Sequence, residues 1–196
     1  LVAVALKDPA PAAGYKAGDI VTLTLSFTEA VTDLSTADIS VSGGTGTVSN
    51  LVQDSTDPTK YTVDFKPSTA QAAGTSITLA IASAKFKDLK GNWNTDGADG
   101  NNSVSVTVDT QAPTVVASTG ISITSSAGPD KTYKAGDTIT FKAVFSEAVS
   151  FSDTAVGLNF KIGTTTVTAQ ADAGQTSLGT DKTFSYVVQP GDNDST

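Results

Sequence analysis

The sequence predicts an all-β protein made of two tandem β-sandwich domains, the second incomplete at its C-terminus. Three observations predict it. Tyr15 to Val31 reads YKAGDIVTLTLSFTEAV and Tyr133 to Val149 reads YKAGDTITFKAVFSEAV, an ungapped repeat with ten of seventeen positions identical. A unit of roughly a hundred residues repeated in tandem has the size of one sandwich. Thr, Ser, Val, Ala, Gly and Asp dominate the chain, which is the chemistry of pleated faces and tight turns. Apolar residues alternate with polar ones in short runs, and no long helical period appears.

In order along the chain, Leu1 to Leu6 reads as a first strand, and Asp8 to Gly18, with Pro9, Pro11, Gly14 and Gly18, as a turn-rich connection. Ile20 to Phe27 alternates apolar residues with Thr and Ser, the pattern of a half-buried strand. Ile39 to Val41 and Thr47 to Val52 form short strands around Gly43-Gly44. Lys60 to Lys66 turns Tyr61, Val63 and Phe65 inward, and Ser76 to Ile81 does the same with Ile77, Leu79 and Ile81. A polar loop, Ala84 to Asn102, precedes a closing strand, Ser103 to Val108. Asp109 to Pro113 reads as a short, Pro-containing linker, so the domains are set at 1–110 and 111–196.

The second unit begins in the same order: Thr114 to Ala117, Thr138 to Phe145, Gly157 to Ile162, Thr165 to Ala169 and Thr183 to Val188. Counterparts of Ser76–Ile81, of the DLKGN loop and of SVSVTV are missing. A sandwich without its last strands exposes apolar faces and open edges. Two expectations follow: the remainder lies outside this sequence, or another chain supplies strands, with Leu1–Leu6 as one donor segment.

Composition narrows the function. Cys, His, Met and Arg are absent, all twelve basic residues are Lys, and Glu29 and Glu147 are the only glutamates among twenty acidic residues. There is therefore no disulfide framework and no thiolate metal site. A net charge of −8 argues against nucleic acid and anionic lipid as partners. No stretch is long and apolar enough for membrane insertion as a helix. An excess of Asp suits solubility and hard cations such as calcium. Without a His base, a Cys nucleophile, a G-x-S-x-G or a phosphate-binding loop, the chain reads as a non-enzyme.

Five elements occur together in the first unit: Ala17-Gly18-Asp19 before a strand, Phe27-Thr28-Glu29-Ala30-Val31 at its end, Asp88-Leu89-Lys90-Gly91-Asn92 in a late loop, Val106-Thr107-Val108-Asp109-Thr110 at the close, and Ala112-Pro113. Together they make the sequence resemble the bacterial Ig-like repeats of large secreted and cell-surface adhesins. The resemblance covers the whole first unit and the second as far as it runs. It implies tandem Ig-like sandwiches, an extracellular or bacterial cell-surface location, neighbouring repeats of the same protein as partners, and calcium near domain junctions. It implies neither catalysis nor a particular adhesive target.

Topology places the candidate ligands independently of the resemblance. The second strand of a sandwich runs back toward the pole where its domain begins, and the loop before the last strand lies at that pole too. The first unit thereby gathers Glu29, Asp88 and Asn92, with Asp96 or Asp99 as further candidates. The second gathers Glu147 beside the linker residue Asp109, with Asp153. Calcium takes six to eight oxygens from carboxylates, amides and carbonyls, so one structural calcium site per entry pole is expected. The competing reading makes both glutamates solvated strand-end carboxylates and DLKGN a plain Asx–Gly turn. Asp192-Asn193-Asp194 has the look of a cation loop and equally of a common turn.

Trp93, the only Trp, is expected to fold back over the end of the core; its alternative role is to stack on a glycan. Tyr15 and Tyr133 are expected on the domain edge. The function expected from these readings is that of structural spacer or stalk repeats with calcium-stiffened junctions. Two alternatives stand beside it: a filament or surface-layer subunit completed by another subunit's strand, and a glycan-binding module.

Overall fold

The computed structural model describes residues 3–95, 100–152 and 156–192. The chain folds as two compact units, 1–112 and 113–196. All regular structure is strand apart from one short 3₁₀ turn at Thr36–Asp38, among the described residues.

Among its described residues, unit 1 carries ten strands: β1 (Ala3–Leu6), β2 (Tyr15–Lys16), β3 (Val21–Ser26), β4 (Val31–Thr32), β5 (Ile39–Ser42), β6 (Gly46–Gln53), β7 (Lys60–Pro67), β8 (Thr75–Ile81), β9 (Lys87–Asp88) and β10 (Ser103–Asp109). They form two four-stranded sheets, β1-β3-β7-β6 and β2-β10-β8-β5, plus the two-stranded ribbon β4-β9. Period-two alternation decides which side chains face inward. Val21, Leu23, Leu25, Val63 and Phe65 from one sheet meet Ile77, Leu79, Ile81, Val106 and Val108 from the other, all of them buried. Their registers agree, with Leu23 opposite Val63 and Ile77 opposite Val106. The chain start serves both sheets: β1 pairs antiparallel with β3, then β2 pairs parallel with β10. Of Leu1–Leu6, expected as a strand and as a donor segment, the described part, Ala3–Leu6, is thus engaged within its own unit.

The Ala-Gly-Asp turns leading into the repeated strand are the same device twice. Gly18 has φ +93° and Gly136 φ +94°, the left-handed value glycine adopts without steric cost. Asp19 accepts from Lys16 N at 3.0 Å, and Asp137 from Lys134 N at 2.8 Å. Tyr15, expected at the edge, lies in an edge strand but sends its ring into the core, at 8% exposure. Tyr133 is half-buried, and its hydroxyl donates to the Ser125 carbonyl at 2.9 Å.

The stretch read as a linker belongs largely to unit 1. Asp109 is the last residue of β10, and Thr110 is buried. The Thr110 hydroxyl donates to Ser68 O at 2.6 Å and accepts from Gln71 N at 2.9 Å, while Gln111 N donates to Gln71 O. Val-Asp-Thr closes the sandwich because its threonine is pinned by the 68–71 loop.

Among its described residues, unit 2 forms one five-stranded sheet, ordered β11-β12-β15-β14-β13, from β11 (Ile121–Ile123), β12 (Thr138–Val149), β13 (Gly157–Ile162), β14 (Thr165–Ala171) and β15 (Gly179–Val187). Ile139, Phe141, Ala143 and Phe145 repeat the inward positions of Val21, Leu23, Leu25 and Phe27. Its first strand is β11 and not Thr114–Ala117. Val144 bonds both Val116 and Gly120, so residues 117–119 loop out between two contacts on one β12 residue. No strand equivalent to β8 or β10 occurs among the described residues of this unit. In unit 1, β5 pairs with β8; in unit 2 the corresponding β13 turns back on β14 through Gly163, at φ +58°. Phe160 of β13 reaches Phe141 of β12 at 4.6 Å between ring centroids, although two strands separate them in the sheet. Strands sit about 4.8 Å apart, so a flat sheet would hold these rings more than ~10 Å apart. The sheet therefore curls, and β13 covers part of the face that a second sheet covers in unit 1.

Candidate functional site

At the pole where unit 1 begins, the end of β3 and the β8–β10 loop enclose a cleft of about 240 Å³, lined among others by Glu29, Asp88, Asn92 and Trp93. The ribbon explains the convergence: β4 pairs with β9, setting Val31 opposite Asp88 two residues from Glu29. Ala3 lies opposite Ser26, so this end of β3 is the entry pole, as topology required.

The Asp-x-x-Gly-Asn segment is a closed hydrogen-bonded turn. Asp88 Oδ1 accepts from Lys90 N and Asn92 N at 2.8 Å each. Asp88 Oδ2 accepts from Asn92 Nδ2 at 2.7 Å. Gly91 supplies the left-handed residue, at φ +86°. The Asn92 side-chain hydrogen bond first, then its backbone N–H, holds the Asp88 carboxyl below the usual carboxylate range. The turn reading thus holds in full, and it leaves Asp88 ionised at the cleft. Glu29 is exposed and has no hydrogen bond or ion pair among the described residues, and Asn92 Oδ1 accepts none there.

Trp93 corrects an expectation. It does not cap the core but stands 55% exposed, with Lys87 Nζ 4.4 Å from its ring centroid. Phe86 caps the core instead, 1% exposed and edge-on to Phe27 at 5.0 Å. Lys-Phe-Lys-Asp offers one apolar residue between charges, and that isolated signal could have marked it. Asn94 fixes the segment, its Oδ1 accepting from Lys85 N and Phe86 N at 2.7 and 3.1 Å and its Nδ2 donating to Ala82 O at 3.0 Å.

The remaining candidates distribute as follows. Glu147 is half-buried in β12, next to Ser146, whose N–H and hydroxyl bond Thr114 at the start of unit 2. Asp109 ends β10 in unit 1, and its Oδ1 is buried without a hydrogen-bond partner. Asp96, Asp99 and Asp153 lie outside the described residues. Asp192 Oδ2 accepts from Tyr186 Oη and Gln189 N at 2.7 Å each, which makes it a turn cap; Asn193 and Asp194 lie outside the described residues. No group of three or more His, Cys, Asp or Glu able to hold a metal occurs among the described residues.

Two facing four-stranded sheets, with the chain start shared between them, define unit 1 as an Ig-like β-sandwich. The family model for the bacterial Ig-like domain matches residues 2–108, and the chain belongs to that family. No match was found among curated proteins or among solved structures. Domains of this family are typically non-catalytic and commonly extracellular or on the cell surface. No helix among the described residues is long and apolar enough to cross a membrane.

Proposed function

We propose that the chain supplies non-catalytic spacer repeats of a bacterial surface or secreted adhesin, stiffened by calcium at the entry poles. The observation that carries this reading is the cleft that gathers Glu29, Asp88 and Asn92. Their oxygens form a hard donor set with no nitrogen or sulfur ligand, which fits calcium better than zinc or copper. Asp88 is ionised, Glu29 is free to turn to a cation, and Asn92 offers an amide oxygen. Within unit 2, Glu147 is the carboxylate that would hold an ion; within unit 1, the buried Asp109 Oδ1, without a hydrogen-bond partner among the described residues, is an oxygen a cation would satisfy. Calcium bound among the carboxylates of an entry pole would cancel their repulsion and stiffen that repeat. The test is calorimetric titration with calcium: Glu29→Ala and Glu147→Ala should each remove one binding event. Absence of any calcium binding to the unaltered chain would overturn the reading.

A second reading, a subunit completed by a neighbour's strand, is favoured by one observation. β13 sits where its unit 1 counterpart would pair across to a second sheet, and the apolar Ile121, Ile123 and Val187 are 48–56% exposed. On this reading, light scattering detects association that rises with concentration and disappears when the exposed Ile121 and Ile123 are replaced by Ser. A monomer at every concentration would refute it.

A further inference from the structure

The single tryptophan raises a question that the cation reading does not answer: why an indole stands open beside a polar cleft. An exposed Trp gains little from folding, since the capping role at this pole is filled by Phe86. Its backbone is nevertheless held, by a bridge to Lys87 and by the Asn94 network on the next residue. A fixed aromatic plane costs little entropy when a ligand settles on it. Around it the cleft offers oxygen acceptors, namely the Glu29 carboxylate and Asn92 Oδ1, and donors, namely the Thr28 and Thr95 hydroxyls and the indole N–H, the last without a partner among the described residues. An apolar ring face bordered by several acceptors complements a ligand that carries C–H groups on one face and hydroxyl donors at its rim. The volume, about 240 Å³, falls below the ~300 Å³ at which pockets for drug-sized ligands begin, and is on the scale of a single sugar ring.

Charge discriminates among flat-binding ligands. Lys87 Nζ already lies over the indole at 4.4 Å, so a ligand cation would meet a like charge there. An anionic ligand would meet Glu29 and the ionised Asp88. A neutral, hydroxyl-rich ring avoids both penalties. We infer that the entry-pole cleft of unit 1 is a subsite for a neutral pyranose, with Trp93 as the stacking platform and Glu29 and Asn92 as acceptors for ring hydroxyls. The inference shares its cleft with the proposed calcium but does not require the ion.

Trp93 is the only Trp in the chain, so its emission reports the site directly. The experiment titrates the full chain with methyl β-galactoside, methyl β-glucoside and N-acetylglucosamine, in calcium and in chelator. Sialic acid and tetramethylammonium serve as charged controls. The expected result is a saturable emission change at millimolar concentration with at least one neutral sugar and none with either control. By saturation-transfer NMR, Trp93→Ala should weaken that sugar about tenfold or more, with the melting temperature of unit 1 unchanged and Trp93→Phe partly restoring binding. No saturable change with any of the three sugars, in calcium or in chelator, overturns the inference. A response to tetramethylammonium in place of sugar overturns it as well. Calcium binding is read separately by calorimetry without sugar, so failure of the cation reading and failure of this one are told apart.

Discussion

Phe86 and Trp93 stand seven residues apart in the same polar loop, and their roles are the reverse of what size and apolarity suggest. Phe86 is buried against Phe27, which is itself edge-on to Tyr61 at 5.8 Å, so three rings close the entry end of the unit 1 core. Truncation there opens a cavity; Phe86→Ala should cost about 3–5 kcal/mol in denaturant unfolding of unit 1. Trp93→Ala should cost under ~1 kcal/mol, because it removes an exposed ring and one exposed cation–π contact. Equal losses for the two variants would show that the structural assignment of the rings is wrong. The sequence could not separate them, since both are lone aromatics among charged and polar neighbours. Burial here depends on the β4-β9 ribbon, which pairs Val31 with Asp88 across more than fifty residues of chain. The carboxylates were easier to place. Glu29 and Glu147 occupy matching repeat positions, and strand direction alone carries each to the end where its unit begins.

At the scale of the element, period-two alternation located β3, β5, β7, β8 and β10 because each buries a single apolar face. The strands it missed are held by something other than burial. β2, β4 and β9 are two residues each and exist through a pairing partner distant in sequence. β11 was misplaced because Thr114–Ala117 and Ile121–Ile123 are both short β-prone runs, and the competition between them is settled on Val144. β15 contains a residue that no alternation pattern would place inside. Lys182 is 3% exposed, with Nζ donating to Gln175 O at 3.0 Å and Ser177 O at 2.7 Å and lying 5.4 Å from the Phe151 ring centroid. An ammonium with no carboxylate partner among the described residues is tolerated because two carbonyls and an aromatic face replace its water. It ties the loop before β15 to the strand itself.

For the whole molecule, the repeated segment guarantees two similar beginnings and leaves the outcomes to what each strand finds opposite it. Every inward residue of β3 is fully buried, whereas Ile139, Phe141 and Ala143 of β12 keep 7, 5 and 2% exposure under a curled single sheet. Hydrogen exchange should therefore find the slowest amides in β3, β7 and β8, and those of β12 and β15 exchanging faster through a separate opening. Identical protection in the two sets would contradict independent units of unequal core. The shared chain start of unit 1 carries a consequence for synthesis. Tyr15 pairs with Val108, while in unit 2 the longest-range pairing joins Thr138 to Val187. Closure entropy grows with the loop spanned, and non-local pairing slows folding. On a ribosome, the N-terminal unit cannot seal its second sheet until the last strand of that unit has emerged. Tyr15–Lys16 are made early in that unit and locked among the last, so the rate of translation through Ser103–Asp109 governs how long that seam stays open.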